Sequence, residues 1–263
     1  MGGLTGIGLV IVVVVLASLA GLTLVRRLAP RDQFEQHTEV AGYVYAVIGV
    51  IYAVILAQVV IAAWEEYRDA RSVASAEADA VLNLARLAQG WSPADRDRVE
   101  EMLTAYALHV VDIEWPAMAR GDYQPATHTP YVHQLWQAVD AAGQHARIDG
   151  QPRFAASLQQ LDGLDAARRS RVLLGAGGLP LAMTLTLVLG AIVTVGFSYL
   201  FAVENGWVHG LMTASLAMLV ALLLLLEYQL ETPFEGISAI EPTAMEFVIA
   251  EIDSGVKWDV VSP

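Results

Sequence analysis

Residues 40–71 read VAGYVYAVIGVIYAVILAQVVIAAWEEYRDAR, and this stretch decides the fold. From Val40 to Trp64 the only strongly polar side chain is Gln58. A helix of about 20 apolar residues crosses the roughly 30 Å of bilayer hydrocarbon. No Gly or Pro follows until Gly90, so the segment predicts a single helix of about 50 residues, half in lipid and half in water. Its wet half repeats apolar residues at helical spacing (Val73, Ala74, Val81, Leu84, Ala85, Ala88), with Glu77 as the exception.

Three more stretches are apolar enough to span: Leu4–Val25, Val172–Val203 and Val208–Leu226. Val172–Val203, about 48 Å long as a helix, exceeds the hydrocarbon thickness. Its start is therefore expected to project into water, with Pro180 bending it. The first lacks the basic leader of a signal peptide and has its basic pair, Arg26-Arg27, after the apolar run; it reads as a retained anchor. The 263 residues are 56% hydrophobic and 16% charged, as a membrane protein requires. A net charge of −13 argues against a nucleic-acid partner, and the absence of cysteine excludes disulfides and thiolate chemistry.

Between spans two and three, residues 65–171 read as helices throughout. Ser92-Pro93 with Asp95 forms a helix start, and Val99, Met102, Leu103, Tyr106, Val110 and Ile113 form its inner stripe. Pro116 is expected to end or kink that helix. Thr129-Pro130 opens another, and a last helix carrying Phe154, Leu158, Leu161 and Leu164 leads through Arg168–Arg171 into span three. The expected architecture is all-α: a polytopic membrane protein with four transmembrane helices and a helical bundle extramembrane domain continuous with spans two and three. Its parts are a hairpin over 1–64 (spans 4–25 and 40–64), a helical domain over 65–171, a second hairpin over 172–226 (spans 172–203 and 208–226) and an acidic tail over 227–263. Four spans put the N-terminus, the 65–171 block and the tail on one side. Arg68, Arg71, Arg168, Arg169 and Arg171 favour that side as cytoplasmic; Arg26, Arg27 and Arg31 favour the reverse.

Catalysis finds no support. The histidines at 37, 109, 128, 133, 145 and 209 form no metal-ligand pattern, and there is no GxSxG and no phosphate loop. Glu65 and Glu66, where span two leaves the membrane, are candidates for a ring of charge at a pore mouth; a solvated helix face explains them as well. Tyr45, Gly49, Tyr52, Leu56 and Val59 recur three or four apart along span two, with Gly42 and Ala63 extending the stripe. Such a stripe suits either a pore lining or a helix-packing seam. The tail has eight acids against Lys257, of which Glu231, Glu235 and Glu241 are weak candidates for a divalent cation; no other cofactor is expected.

Several motifs resemble the bestrophin-like four-span membrane proteins of bacteria and plants, relatives of the bestrophin ion channels. They are Gly49–Ala53 running on to Trp64-Glu65, Tyr67 and Ala70-Arg71; Glu77-Ala78; Tyr106; Glu114-Trp115-Pro116; Arg168–Arg171; Pro180; and Glu231–Gly236. The resemblance implies a homopentamer (a tetramer also encloses a pore), with span two lining the pore and both termini and the helical domain in the cytoplasm of a bacterial inner membrane. Pro233-Phe234 matches the segment that forms the bestrophin calcium site, but Gly236–Ile240 replaces the acidic run that follows it there. Span two also lacks the phenylalanine triplet of the bestrophin gate. The resemblance carries neither feature across. An ion channel is the expectation, with a non-conducting scaffold or signalling protein as the alternative and a secondary transporter behind it, since no span holds a buried charge.

Overall fold

The computed structural model describes residues 3–28, 38–127, 130–145 and 150–254. The link at 29–37, His128, the Thr129 helix start and the tail beyond 254, with Lys257, lie outside them. Among the described residues there are helices and turns and no strand. Ten α-helices follow in order: α1 (Leu4–Leu28), α2 (Thr38–Ala88), α3 (Pro93–His109), α4 (Trp115–Met118), α5 (Gln124–Thr127), α6 (Tyr131–His145), α7 (Gln151–Ala176), α8 (Leu181–Ser198), α9 (Gly206–Glu231) and α10 (Thr243–Asp253). Four helical stretches among the described residues have the length and apolarity to cross a membrane.

The chain divides into two compact units, each made from two separate stretches of sequence. The first comprises residues 1–66 and 178–231, thus α1, the first part of α2, α8 and α9. The 51-residue helix α2 contributes to both units. In the first unit α1 packs on α9 and α8. Ser18 and Tyr199 share a hydrogen bond at 3.1 Å, and a Cβ at Gly21 would come within 3.1 Å of the Tyr199 ring. Arg26, past the apolar run of α1, donates to the Val203 carbonyl at 2.8 Å.

The apolar run from Val172 to Val203 is not one helix. Helix α7 ends at Ala176 and α8 begins at Leu181. Gly177 and Gly178 are poor helix formers, and Pro180 has no N–H to give and keeps the preceding residue out of helical geometry. Val172 and Leu174 therefore pack on the core of the second unit. The 18 residues of α8 make a helix of about 27 Å.

The second unit takes residues 67–177 and 232–263. Ser92 accepts the Asp95 N–H at 3.2 Å and its hydroxyl donates to the Asp95 carboxylate at 2.7 Å, fixing the start of α3. Val99, Leu103, Tyr106 and Val110 are fully buried, as the stripe predicts. Ile113 is not; it is half exposed. Residues Val110–Glu114 form a single π-helical turn, whose extra residue rotates Ile113 outward and brings Glu114 and Trp115 inward. Pro116 lies just after it. A proline cannot supply the N–H that a regular helix needs there, and the wider turn absorbs the loss. Phe234, Met245 and Val248, from beyond α9, complete the core.

Candidate functional site

Two places in the chain concentrate the residues singled out by sequence, one in each unit. The first is helix α2. Tyr52, Leu56 and Val59 are buried against Leu187 and Ala191 of α8 and Val220 of α9. The Tyr52 hydroxyl donates to the Leu187 carbonyl at 3.2 Å, and a Cβ at Gly190 would lie only 2.5 Å from the Tyr52 ring. Tyr45 stacks on Phe197 at 5.8 Å and meets Phe201 edge-on at 5.3 Å, whereas Gly49 is half-buried and a Cβ there would meet nothing within 4 Å. Within this unit Tyr52, Leu56 and Val59 form a helix-packing seam. Small residues at 190 and 191 let α8 close over it, so Tyr52, Leu56 and Val59 do not face water within this unit.

The opposite face of α2 has no such cover. Tyr43, Val47, Val50, Val54, Gln58, Ile61 and Glu65, spaced three or four apart, are all exposed. Gln58 makes no hydrogen bond to any described residue, and Glu65 and Glu66 project freely at the end of the apolar run.

The second place lies inside the second unit. Arg171, with no exposed surface, donates from Nε to Glu77 Oε2 at 2.6 Å and from Nη2 to Glu77 Oε1 at 3.0 Å and Glu114 Oε2 at 2.6 Å. Its Nη1 reaches the Met118 sulfur at 2.9 Å, and its guanidinium lies 4.9 Å from the centre of the Trp115 ring. Arg168 donates to the other Glu114 oxygen at 3.2 Å and to the Ala126 carbonyl. The Tyr106 hydroxyl donates to Glu77 Oε1 at 2.5 Å. Two buried carboxylates thus meet two buried guanidiniums, with nearly every lone pair engaged. Burial opposes the Arg171 charge, yet Glu77 and Glu114 outweigh it and drive its pKa further up. Burial, then the Glu77 charge, pushes the Tyr106 phenol well above its ordinary value. His109 Nε2 sits 3.6 Å from Glu114, beyond hydrogen-bonding distance. With its charges mutually neutralised, the cluster locks α2, the π turn and α7 together.

Glu77, Glu114, Arg168 and Arg171 stand far apart in the sequence, with no motif that joins them. The signal was present: Glu77 interrupts an apolar stripe, and Arg168 and Arg171 continue the stripe of Leu161 and Leu164, so three charges occupy inward positions. Pairing them requires partners 54 to 94 residues away.

The acids proposed for a cation fall in both units. Glu231 accepts the Leu179 N–H at 2.5 Å in the first unit. In the second, Glu235 lies beside Tyr123, whose phenol is pushed up to about 12 by burial first and by that carboxylate second. Glu241 is exposed at a cleft of about 320 Å³ also lined by Tyr67, Arg71, Trp115 and Thr243. Among the described residues no three His, Asp or Glu side chains are placed to hold a metal ion. His133 pairs with Gln137 at 2.9 Å, His145 with Asp95 at 3.3 Å, and buried His209 with the Ser198 carbonyl at 2.9 Å.

Four apolar spanning helices and a second, helical unit knotted by buried ion pairs define an all-α polytopic membrane protein. The chain belongs to the Bestrophin-like family: that family's domain matches residues 12–245. Its fold is similar to that of a bacterial Bestrophin homolog from Klebsiella pneumoniae. One solved structure of that homolog matches at 15% identity with TM-score 0.72, covering 93% of this chain and 97% of the other. A substituted form matches at 16% identity with TM-score 0.72, covering 93% and 98%. A structure described as a membrane protein matches at 15% identity with TM-score 0.70, covering 95% and 98%. No curated protein matches.

Proposed function

We propose that the chain is one protomer of an oligomeric ion channel of a bacterial inner membrane, pentameric as the family resemblance implies, with α2 lining the pore. The observation that supports this is the outward face of α2. Tyr43, Val47, Val50, Val54 and Ile61 make an apolar stripe without cover in the protomer, and it carries the exposed amide of Gln58 and ends at Glu65. A lone amide facing hydrocarbon costs several kcal/mol (roughly). A water-filled axis shared by several copies of α2 removes that cost. The constriction is then apolar and opens by wetting. Glu65 and Glu66 at its mouth raise the local cation concentration, so the pore prefers cations.

Because the chain contains no cysteine, each single cysteine variant carries one thiol. In lipid, water-soluble thiol reagents label Val47→Cys, Val54→Cys and Gln58→Cys faster than Tyr52→Cys, Leu56→Cys and Val59→Cys. Fast labelling of the second set restores the sequence-derived stripe as the lining. Negligible labelling of all six, together with no ion flux into liposomes, makes the protein a scaffold whose helical unit binds a partner. Flux that saturates and couples to a second solute makes it a secondary transporter.

A further inference from the structure

Helix α9 continues one turn past its apolar run, which ends at Leu226, and there carries Glu227 and Glu231, four residues apart on one face. Glu227 is only 6% exposed, and no hydrogen-bond donor reaches its Oε1. Glu231 stands one turn further along the same face, and burial first and the Glu231 charge second push the Glu227 carboxyl up to about 7. Glu231 is itself held in place: its Oε1 accepts the Leu179 N–H at 2.5 Å, and a Cβ at Gly178 would come within 2.9 Å of the same oxygen. The backbone entering α8 thus closes over one carboxylate while the other is buried beside it.

No cation of the first unit faces the pair among the described residues. Helix α8 has no titratable side chain, and the only charges of α1, Arg26 and Arg27, are at its end near Val203, beside the start of α9. That end is about 30 Å along α9 from Glu227. The nearest charged residues of α2 in this unit, Glu65 and Glu66, are acids too. Two carboxylates one helical turn apart on one face, one of them buried and with no cation of their own unit facing them among the described residues, favour sharing a single proton.

We propose that Glu227 and Glu231 form a proton-binding site that holds one proton between them at neutral pH. Protonated Glu227 donates to the Glu231 carboxylate, whose other interaction is with the Leu179 N–H. Release of the proton to water leaves two anions one helical turn apart. They must separate, and the Leu179 amide then loses its fixed acceptor, so the site couples pH to the connection leading into α8. The site stands whether or not the chain conducts.

Infrared spectroscopy of the full-length protein in lipid tests this, with pH stepped from mildly acidic to mildly alkaline. The expected result is one protonated-carboxyl C=O band per chain at neutral pH, lost reversibly on alkalinisation and missing from Glu227→Gln. Hydrogen exchange of the peptide containing Leu179, corrected for the intrinsic pH effect, speeds up about tenfold or more over the same range. In Glu227→Gln, which keeps a neutral donor beside Glu231, exchange stays slow throughout. A wild-type protein without the band at neutral pH overturns the proposal. So does a band that persists in both Glu227→Gln and Glu231→Gln, or Leu179 exchange that ignores pH. Should a variant fail to fold, the wild-type titration and exchange decide the matter alone.

Discussion

Replacing Arg171 by methionine would leave Glu114 paired with Arg168 and Glu77 buried with no cation paired to it among the described residues. Removing one partner of a buried ion pair costs about 3–5 kcal/mol, because the stranded charge cannot reach water. Denaturant unfolding of Arg171→Met is therefore expected to show a loss of that size, whereas Tyr106→Phe, which strands one lone pair of Glu77, loses about 1–2 kcal/mol. A triple replacement of Glu77, Glu114 and Arg171 by apolar residues of similar volume should recover most of the loss. If Arg171→Met unfolds like the wild type, the cluster contributes nothing to stability. In the other unit Gly190→Ala would drive a methyl to 2.5 Å from the Tyr52 ring and push α2 off α8. Its thermal midpoint is expected to fall, and Tyr52→Ala in the same chain to restore part of it; a fall that Tyr52→Ala deepens rules out this clash as the cause.

At the scale of the element, the π turn over Val110–Glu114 carries one residue more than a regular helix. Deleting exposed Asp112 should convert it to α-helix while Glu114, Trp115 and Arg168 keep their partners. Deleting Thr104, two turns earlier, should rotate Tyr106 and Val110 out of the core. Circular dichroism and melting of the two deletions are expected to differ sharply, the first near wild type and the second unfolded; equal damage would mean the turn does not absorb a residue. This element also marks the limit of reading helices by period. The stripe from Val99 to Val110 is legible because burial selects apolar side chains at helical spacing, and Ile113 is misplaced because the pattern assumes an unbroken 3.6-residue turn. Likewise Gly177-Gly178 and Pro180 announce a break inside an apolar run. Which end of the run belongs to lipid follows only from the packing of Val172 and Leu174. On α2 the periodicity of Tyr52, Leu56 and Val59 marks one face, and nothing in that period shows that Gly190, almost 140 residues further on, leaves room for the Tyr52 ring.

For the whole molecule, four spans and the family layout set the expectation that both termini and the 65–171 block are cytoplasmic. A reporter fused at Gly121, where a positive φ already marks a surface turn, should be active only in its cytoplasmic form; activity of a periplasmic reporter there would invert the whole topology. Native mass spectrometry from lipid is expected to show a pentamer, and a monomer would exclude any pore built from α2, since four helices are too few to enclose one.

The discontinuity of both units governs how the chain is made. Glu77 and Glu114 leave the ribosome well before Arg168 and Arg171, and Phe234, Met245 and Val248 come later still. During translation the two acids wait without counter-charges, and the core of the second unit stays open until α8 and α9 have been synthesised and the segment after them has appeared. The first unit is equally incomplete while α1 and α2 await the second pair of spanning helices. Neither unit can complete its core as it emerges, and for almost its full length the nascent chain carries apolar and charged groups whose partners have yet to be made.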